Sequence, residues 1–163
     1  MTLPSEYNFG ESVEEQLRQL KDMYLRLRES VEGYTQEFEG VVFGSSTAGT
    51  CTYSVNNCYY VRRGIVIDVF YGVAWSGHTG TGNLHLKLPF FEKPFASSPS
   101  ISAVIAGNIT FPASTVYLVA RSISNQDYVR IDAVRSAANP TIVSLPASGN
   151  IYFHHNYIGQ VKK

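Results

Sequence analysis

The sequence predicts a mainly β protein: an N-terminal α-helical coiled-coil stalk followed by an antiparallel β-sandwich head of jelly-roll type, assembled as a homotrimer. Three observations carry this prediction. An apolar 4-3 repeat runs from Val13 to Phe38. After Gly40 no helical period returns; short β-branched and aromatic runs follow, punctuated by Gly, Pro, Asn and Ser. Charge changes at the same border: residues 1–40 hold nine acids against four bases, residues 41–163 four acids against nine bases, so the second part carries 13 charges in 123 residues. A surface that poor in charge suits contact with copies of itself or with neutral, hydroxyl-rich ligands. The expected division is a lead or anchor over 1–11, a stalk over 12–40 and a head over 41–163.

The helix comes first. Val13, Leu17, Leu20, Tyr24, Leu27, Val31, Tyr34 and Phe38 keep unbroken 4-3 spacing, with Leu17, Tyr24, Val31 and Phe38 at a and the other four at d. The mean period is about 3.5 rather than 3.6, and only a supercoil keeps such a seam facing a partner. Ser12 with Glu15 three residues on makes a capping box. Gly33 weakens the helix near its end, and Gly40 is the expected stop. A helix of about 25 residues with only a seam to bury needs identical neighbours or the rest of the chain. The alternative is an amphipathic helix lying on its own domain; the oligomerisation stalk is the reading taken. The a layer mixes Leu, Tyr, Val and Phe rather than the β-branched residues of dimers, and Met23 sits at g, which together favour three strands.

Strands are expected over 41–44, 49–54, 59–63, 65–75, 83–88, 100–105, 115–121, 128–134 and 150–158, the spacing of a sandwich or barrel. Alternation supports several. In Asn83-Leu84-His85-Leu86-Lys87-Leu88 the leucines share a face, and so do Val129, Ile131 and Ala133 further on. Ile65 to Trp75 is apolar on both faces apart from Asp68, which predicts a central strand covered on both sides. Three heads closing their edges on one another would solve the exposed-edge problem.

Several classes are disfavoured. A hydrophobic content of 44% excludes a disordered chain. The N-terminus shows no basic region followed by an apolar run, so no secretory signal is expected. The least charged long segment, 94–120, is broken by Pro99, Gly107 and Pro112, so no membrane insertion is expected. Cys51 and Cys58 face each other only if a hairpin turns near Ser54–Val55; a turn at Asn56–Asn57 misaligns them, and both remain open.

The run Tyr59-Tyr60-Val61-Arg62-Arg63-Gly64-Ile65-Val66, then Gly72-Val73-Ala74-Trp75, then Thr79-Gly80-Thr81-Gly82-Asn83-Leu84-His85-Leu86-Lys87-Leu88-Pro89-Phe90 resembles the head domains of bacteriophage tail-fibre, head-fibre and related virion proteins. The resemblance covers residues 50–91, and Cys58 departs from it where a small turn residue is usual. The residues themselves are structural first: Gly64 can take a positive φ or a bulge, Thr79–Gly82 allows a tight reversal, and Pro89 ends the strand. The resemblance implies a structural, receptor-binding virion fibre or decoration protein, made in the host cytoplasm, joined to other virion proteins through its N-terminal segment and attaching to host-surface glycan. The other classes weighed are a lectin-like or tumour-necrosis-factor-like trimeric module outside a virion, and a polysaccharide hydrolase.

Chemistry is sparse. The chain lacks GxxxxGK[ST], GxSxG, HExxH and an EF-hand loop, so neither a catalytic residue nor a cofactor is expected. Asp68 is the one acid in an apolar strand, and pairing with Arg62 or Arg130 is preferred to catalysis. Adjacent His154 and His155 point to opposite faces, so no metal site is expected. Trp75 beside Ser76-Gly77-His78-Thr79 is the candidate ligand site, an indole face next to small polar groups, with His78 as its partner; burial in the core is the alternative. The basic excess of the head is scattered, so nucleic acid is not an expected partner.

Overall fold

The computed structural model of the chain describes residues 13–89, 100–136 and 138–159. The expected anchor at 1–11 lies outside the described residues. One helix, α1 (Val13–Glu32), leads into eleven strands among the described residues: β1 (Tyr34–Glu37), β2 (Val42–Gly44), β3 (Thr52–Asn56), β4 (Tyr59–Arg63), β5 (Val66–Ser76), β6 (Leu84–Lys87), β7 (Ile101–Gly107), β8 (Thr115–Ser122), β9 (Tyr128–Arg135), β10 (Ala138–Ile142) and β11 (Gly149–Ile158).

The helix ends sooner than the heptads predict. Gly33 takes φ +74°, the left-handed conformation that terminates helices, and a Cβ there would stand 2.6 Å from the Arg62 carbonyl oxygen. The chain then pairs antiparallel with β4, Tyr34 opposite Arg62 through Glu37 opposite Tyr59. Seam positions Tyr34 and Phe38 therefore belong to the β body rather than to a stalk. Tyr34 meets the edge of Tyr60 at 5.8 Å between ring centres, and Phe38 that of Tyr71 at 5.2 Å. The apolar rhythm runs on through Gly33, but a glycine inside a helix costs about 1 kcal/mol and an open strand edge lies beside it.

The body is one continuous antiparallel sheet in the order β1-β4-β5-β11-β7-β8-β9-β6-β2, with β3 also on β5 and β10 also on β9. This replaces the two separate sheets of a jelly roll. β3 and β4 lie end to end along one edge of β5, so residues 52–63 form one interrupted strand that returns at Gly64, φ +60°. A glycine first in a two-residue loop is what a type II′ hairpin requires. Cys51 and Cys58 thus sit seven residues apart along one strand line, about 20 Å at strand rise, and both thiols are free.

The sheet curls until its edges meet across the segment 38–44. The Phe38 N–H donates to the Cys58 carbonyl at 3.1 Å. Asn56 brackets Gly40, accepting from its N–H and donating to its carbonyl, each at 2.9 Å. Val42 donates to the Tyr53 hydroxyl at 2.7 Å and accepts from His78 Nε2 at 3.0 Å. Beyond the Phe38 bond, closure at Gly40 and Val42 is by side chains acting as ladder partners, which satisfies edge groups that burial would otherwise leave orphaned. The loop at Thr79–Gly82 is not a hairpin between neighbours. It carries the chain from β5 to β6 and packs on the loop after β2 through Thr47 opposite Thr81.

Inside lie Ile67, Val69, Tyr71, Val73 and Trp75 of β5, Leu84 and Leu86 of β6, Val129, Ile131 and Ala133 of β9, and Ile151, Phe153 and Tyr157 of β11. β5 is central in the sheet, but its second face is outward and has no covering layer among the described residues. β11 alternates buried and open residues along its whole length.

Candidate functional site on the outer face

Neither residue proposed for ligand binding from the sequence is free to act. Trp75 is 3% exposed and its indole N–H donates to the Pro146 carbonyl at 3.3 Å. His78 is buried as well. The Gly80 N–H donates to its Nδ1 at 2.9 Å, which fixes the proton on Nε2 for the bond to Val42. Both hold the closed end of the barrel.

The outer face of β1, β4, β5 and β11 offers something else. Register places Glu37 opposite Tyr59, Tyr59 opposite Phe70, and Phe70 opposite His154. Directly opposed residues share a face, so four side chains form one transverse row. Tyr59 stacks on Phe70 at 4.5 Å and 14°, and Phe70 on His154 at 4.3 Å and 7°. The row behind it contains Asp68, whose carboxylate accepts from His154 Nε2 at 3.2 Å and lies 3.7 Å from Arg63 Nη1. The expected arginine partner of Asp68 is thus Arg63, not Arg62 or Arg130. A shallow pocket lined by Glu37, Phe38, Asn56, Asn57, Cys58 and Tyr59 adjoins the open end of the row. Burial pushes the Cys58 thiol at its base above the usual thiol range, so it stays neutral.

His154 and His155 diverge as the strand period requires. His155 is fully buried, its Nδ1 2.9 Å from the Ser102 hydroxyl, and burial lowers its pKa to about 4 with the neighbouring His154 adding to the effect. On the opposite wing, Asp132 is 1% exposed and accepts from Arg121 Nε at 2.9 Å and from Arg130 Nε and Nη2 at 2.7 and 3.0 Å. Among the described residues no group of three His, Cys, Asp or Glu side chains is placed to hold a metal ion, and no helix is long and apolar enough to cross a membrane.

The α1 seam is the other feature the sequence singled out. Leu17, Leu20, Tyr24 and Leu27 are 61, 43, 62 and 50% exposed, and α1 touches the body at β4. The side chains of Val13 and Val31 lie outside the described residues.

No protein-family model and no curated protein sequence matches the chain. Among solved structures the fold is similar to part of the Dettilon tailspike protein (gp208), with a TM-score of 0.60 and 17% identity over 78% of this chain. The chain spans about a quarter, 24%, of that tailspike. Most of the chain is therefore similar in fold to a segment of a tailspike protein.

Proposed function

We propose that the protein is a component of a phage virion, a non-enzymatic attachment fibre or decoration protein that self-associates through α1 as a homotrimer, is anchored through its N-terminal segment and presents its β body to host-surface glycan. The observation that carries this reading is the α1 seam: apolar side chains at heptad spacing, open to solvent in the single chain. The tailspike-like fold and the charge-poor head support it. The acids support a non-enzymatic role, because Asp132 is tied to two arginines and Asp68 to Arg63 and His154. Native mass spectrometry tests the assembly. Wild type is expected at three copies, and Leu20→Asp, which puts a charge into the seam, is expected to run as a monomer at low micromolar concentration. A monomeric wild type, or an Asp variant that stays assembled, ends the stalk reading.

A further inference from the structure

We propose that Tyr59, Glu37 and Asn57 form a saccharide-binding notch that takes a pyranose ring bearing no carboxylate. The ligand class rests on the attachment reading above; the site and its selectivity rest on geometry. One face of the Tyr59 ring is occupied by Phe70, which His154 backs in turn. The other face turns towards β1, where Glu37 stands opposite in register, and the pocket lies between them. Tyr59 is 39% exposed, so the braced ring has an open face at an end of the row that adjoins a concavity.

The walls suit a sugar. The C–H face of a pyranose stacks on an aromatic ring, and its hydroxyls need acceptors and donors at the rim. Glu37 supplies two acceptor oxygens and Asn57 an amide that both donates and accepts. Both are exposed and make no side-chain hydrogen bond or ion pair among the described residues. Asn56, by contrast, is locked onto Gly40 and fixes the shape of the wall. The base is apolar or neutral, with Phe38 and the protonated Cys58 thiol. Selectivity follows from charge. Glu37 lines the notch and Glu39 follows it in the chain, while Arg63 is already engaged with Asp68. A uronic or sialic acid would bring its carboxylate against another with no free cation in the lining.

The test uses the full chain with methyl glycosides of glucose, galactose, mannose, N-acetylglucosamine and glucuronic acid, read by saturation-transfer difference NMR and titration. At least one neutral glycoside is expected to bind and methyl glucuronide not to bind. Tyr59→Ala is expected to weaken binding about tenfold, the worth of one aromatic stacking contact, and Asn57→Ala to weaken it several-fold. Tyr117→Ala, an exposed tyrosine on β8, should leave it unchanged, and Glu37→Gln should admit the glucuronide. Absence of any neutral-glycoside signal, or wild-type binding by Tyr59→Ala, overturns the notch. Cell attachment, measured in parallel, separates the two readings. If wild type and Tyr59→Ala attach equally, the notch falls and attachment stands. If glycosides bind at Tyr59 but cells are not bound, attachment falls and the notch stands.

Discussion

Two histidines of this chain lie flat on an aromatic ring, in opposite wings of the sheet. His154 stacks on Phe70 at 4.3 Å and 7°, and His85 on Tyr128 at 4.3 Å and 13°. The chemistry of the two contacts is the same; their surroundings differ. Phe43 closes over the second, meeting His85 and Tyr128 edge-on at 5.4 and 5.7 Å, with Arg130 opposite His85 in register. His85 is left 7% exposed, and burial followed by the Arg130 charge holds its pKa below the usual histidine value. The first contact continues to Tyr59 and stops at an open ring face. Stacking therefore ties strands together in both wings, and the open row ends beside a concavity.

The hardest blow to the closed wing is to remove the carboxylate beneath its arginines. Asp132→Ala leaves two partly buried guanidiniums without a counter-charge and is expected to cost about 3 kcal/mol or more in urea denaturation. Asp68→Ala in the open wing should cost less than about 1 kcal/mol, as for an exposed pair. Equal losses would erase the distinction.

Acid offers the next cut, because it separates the inward histidine from the outward one on the same strand. His155 is neutral in the native state with a pKa of about 4, against an ordinary 6.5. Unfolding then takes up a proton, so its contribution is complete above pH 6.5, declines as pH falls and is exhausted near pH 4. The expected loss at pH 4.5 is on the order of a few kcal/mol. His85 pulls in the same direction. Urea midpoints at pH 7 and pH 4.5 measure the loss, and His155→Gln should flatten the slope; an unchanged slope would contradict the assignment.

The smallest effect sharpens the contrast most. Tyr59→Ala and His154→Ala should each cost less than about 1 kcal/mol in thermal unfolding, the worth of a cross-strand surface pair. A stability loss of core size would mean that the row is packing alone.

Much of the body was legible in the sequence. A strand forms at each of the nine expected places, although β3 runs over 52–56 rather than 49–54, because alternation and turn residues report local geometry directly. The two additional strands were hidden for separate reasons. β1 lies inside the heptad rhythm, where Tyr34 and Phe38 satisfy a helical spacing as well as a strand edge. β10 contains Pro140, which cannot donate to a ladder, and shows no alternation. For Trp75 the structure takes the core alternative, and parity already points there. Trp75 shares parity with Val69, Tyr71 and Val73, all inward, whereas Asp68 marks the even positions of β5 as outward. Phe70 has that outward parity. What parity cannot supply is register, and the candidate site depends on register: Glu37, Tyr59, Phe70 and His154 lie far apart in sequence and meet because four strands align them. The single curled sheet was equally out of reach, since no local signal says that Val42 will be held by the side chains of Tyr53 and His78.

The segment from Gly33 to Gly44 has a mechanical consequence. It leaves the helix, runs as β1 along β4, is gripped at Gly40 by Asn56 and at Val42 by Tyr53 and His78, and ends as β2 on β6. A load drawn through α1 would reach the barrel along this one line and act on its hydrogen bonds lengthwise, in shear. The strip that seals the barrel is thus also its point of harness, and tension on the helix would load the β1 pairing at Tyr34 first and travel from there to Glu37 at the lip of the notch.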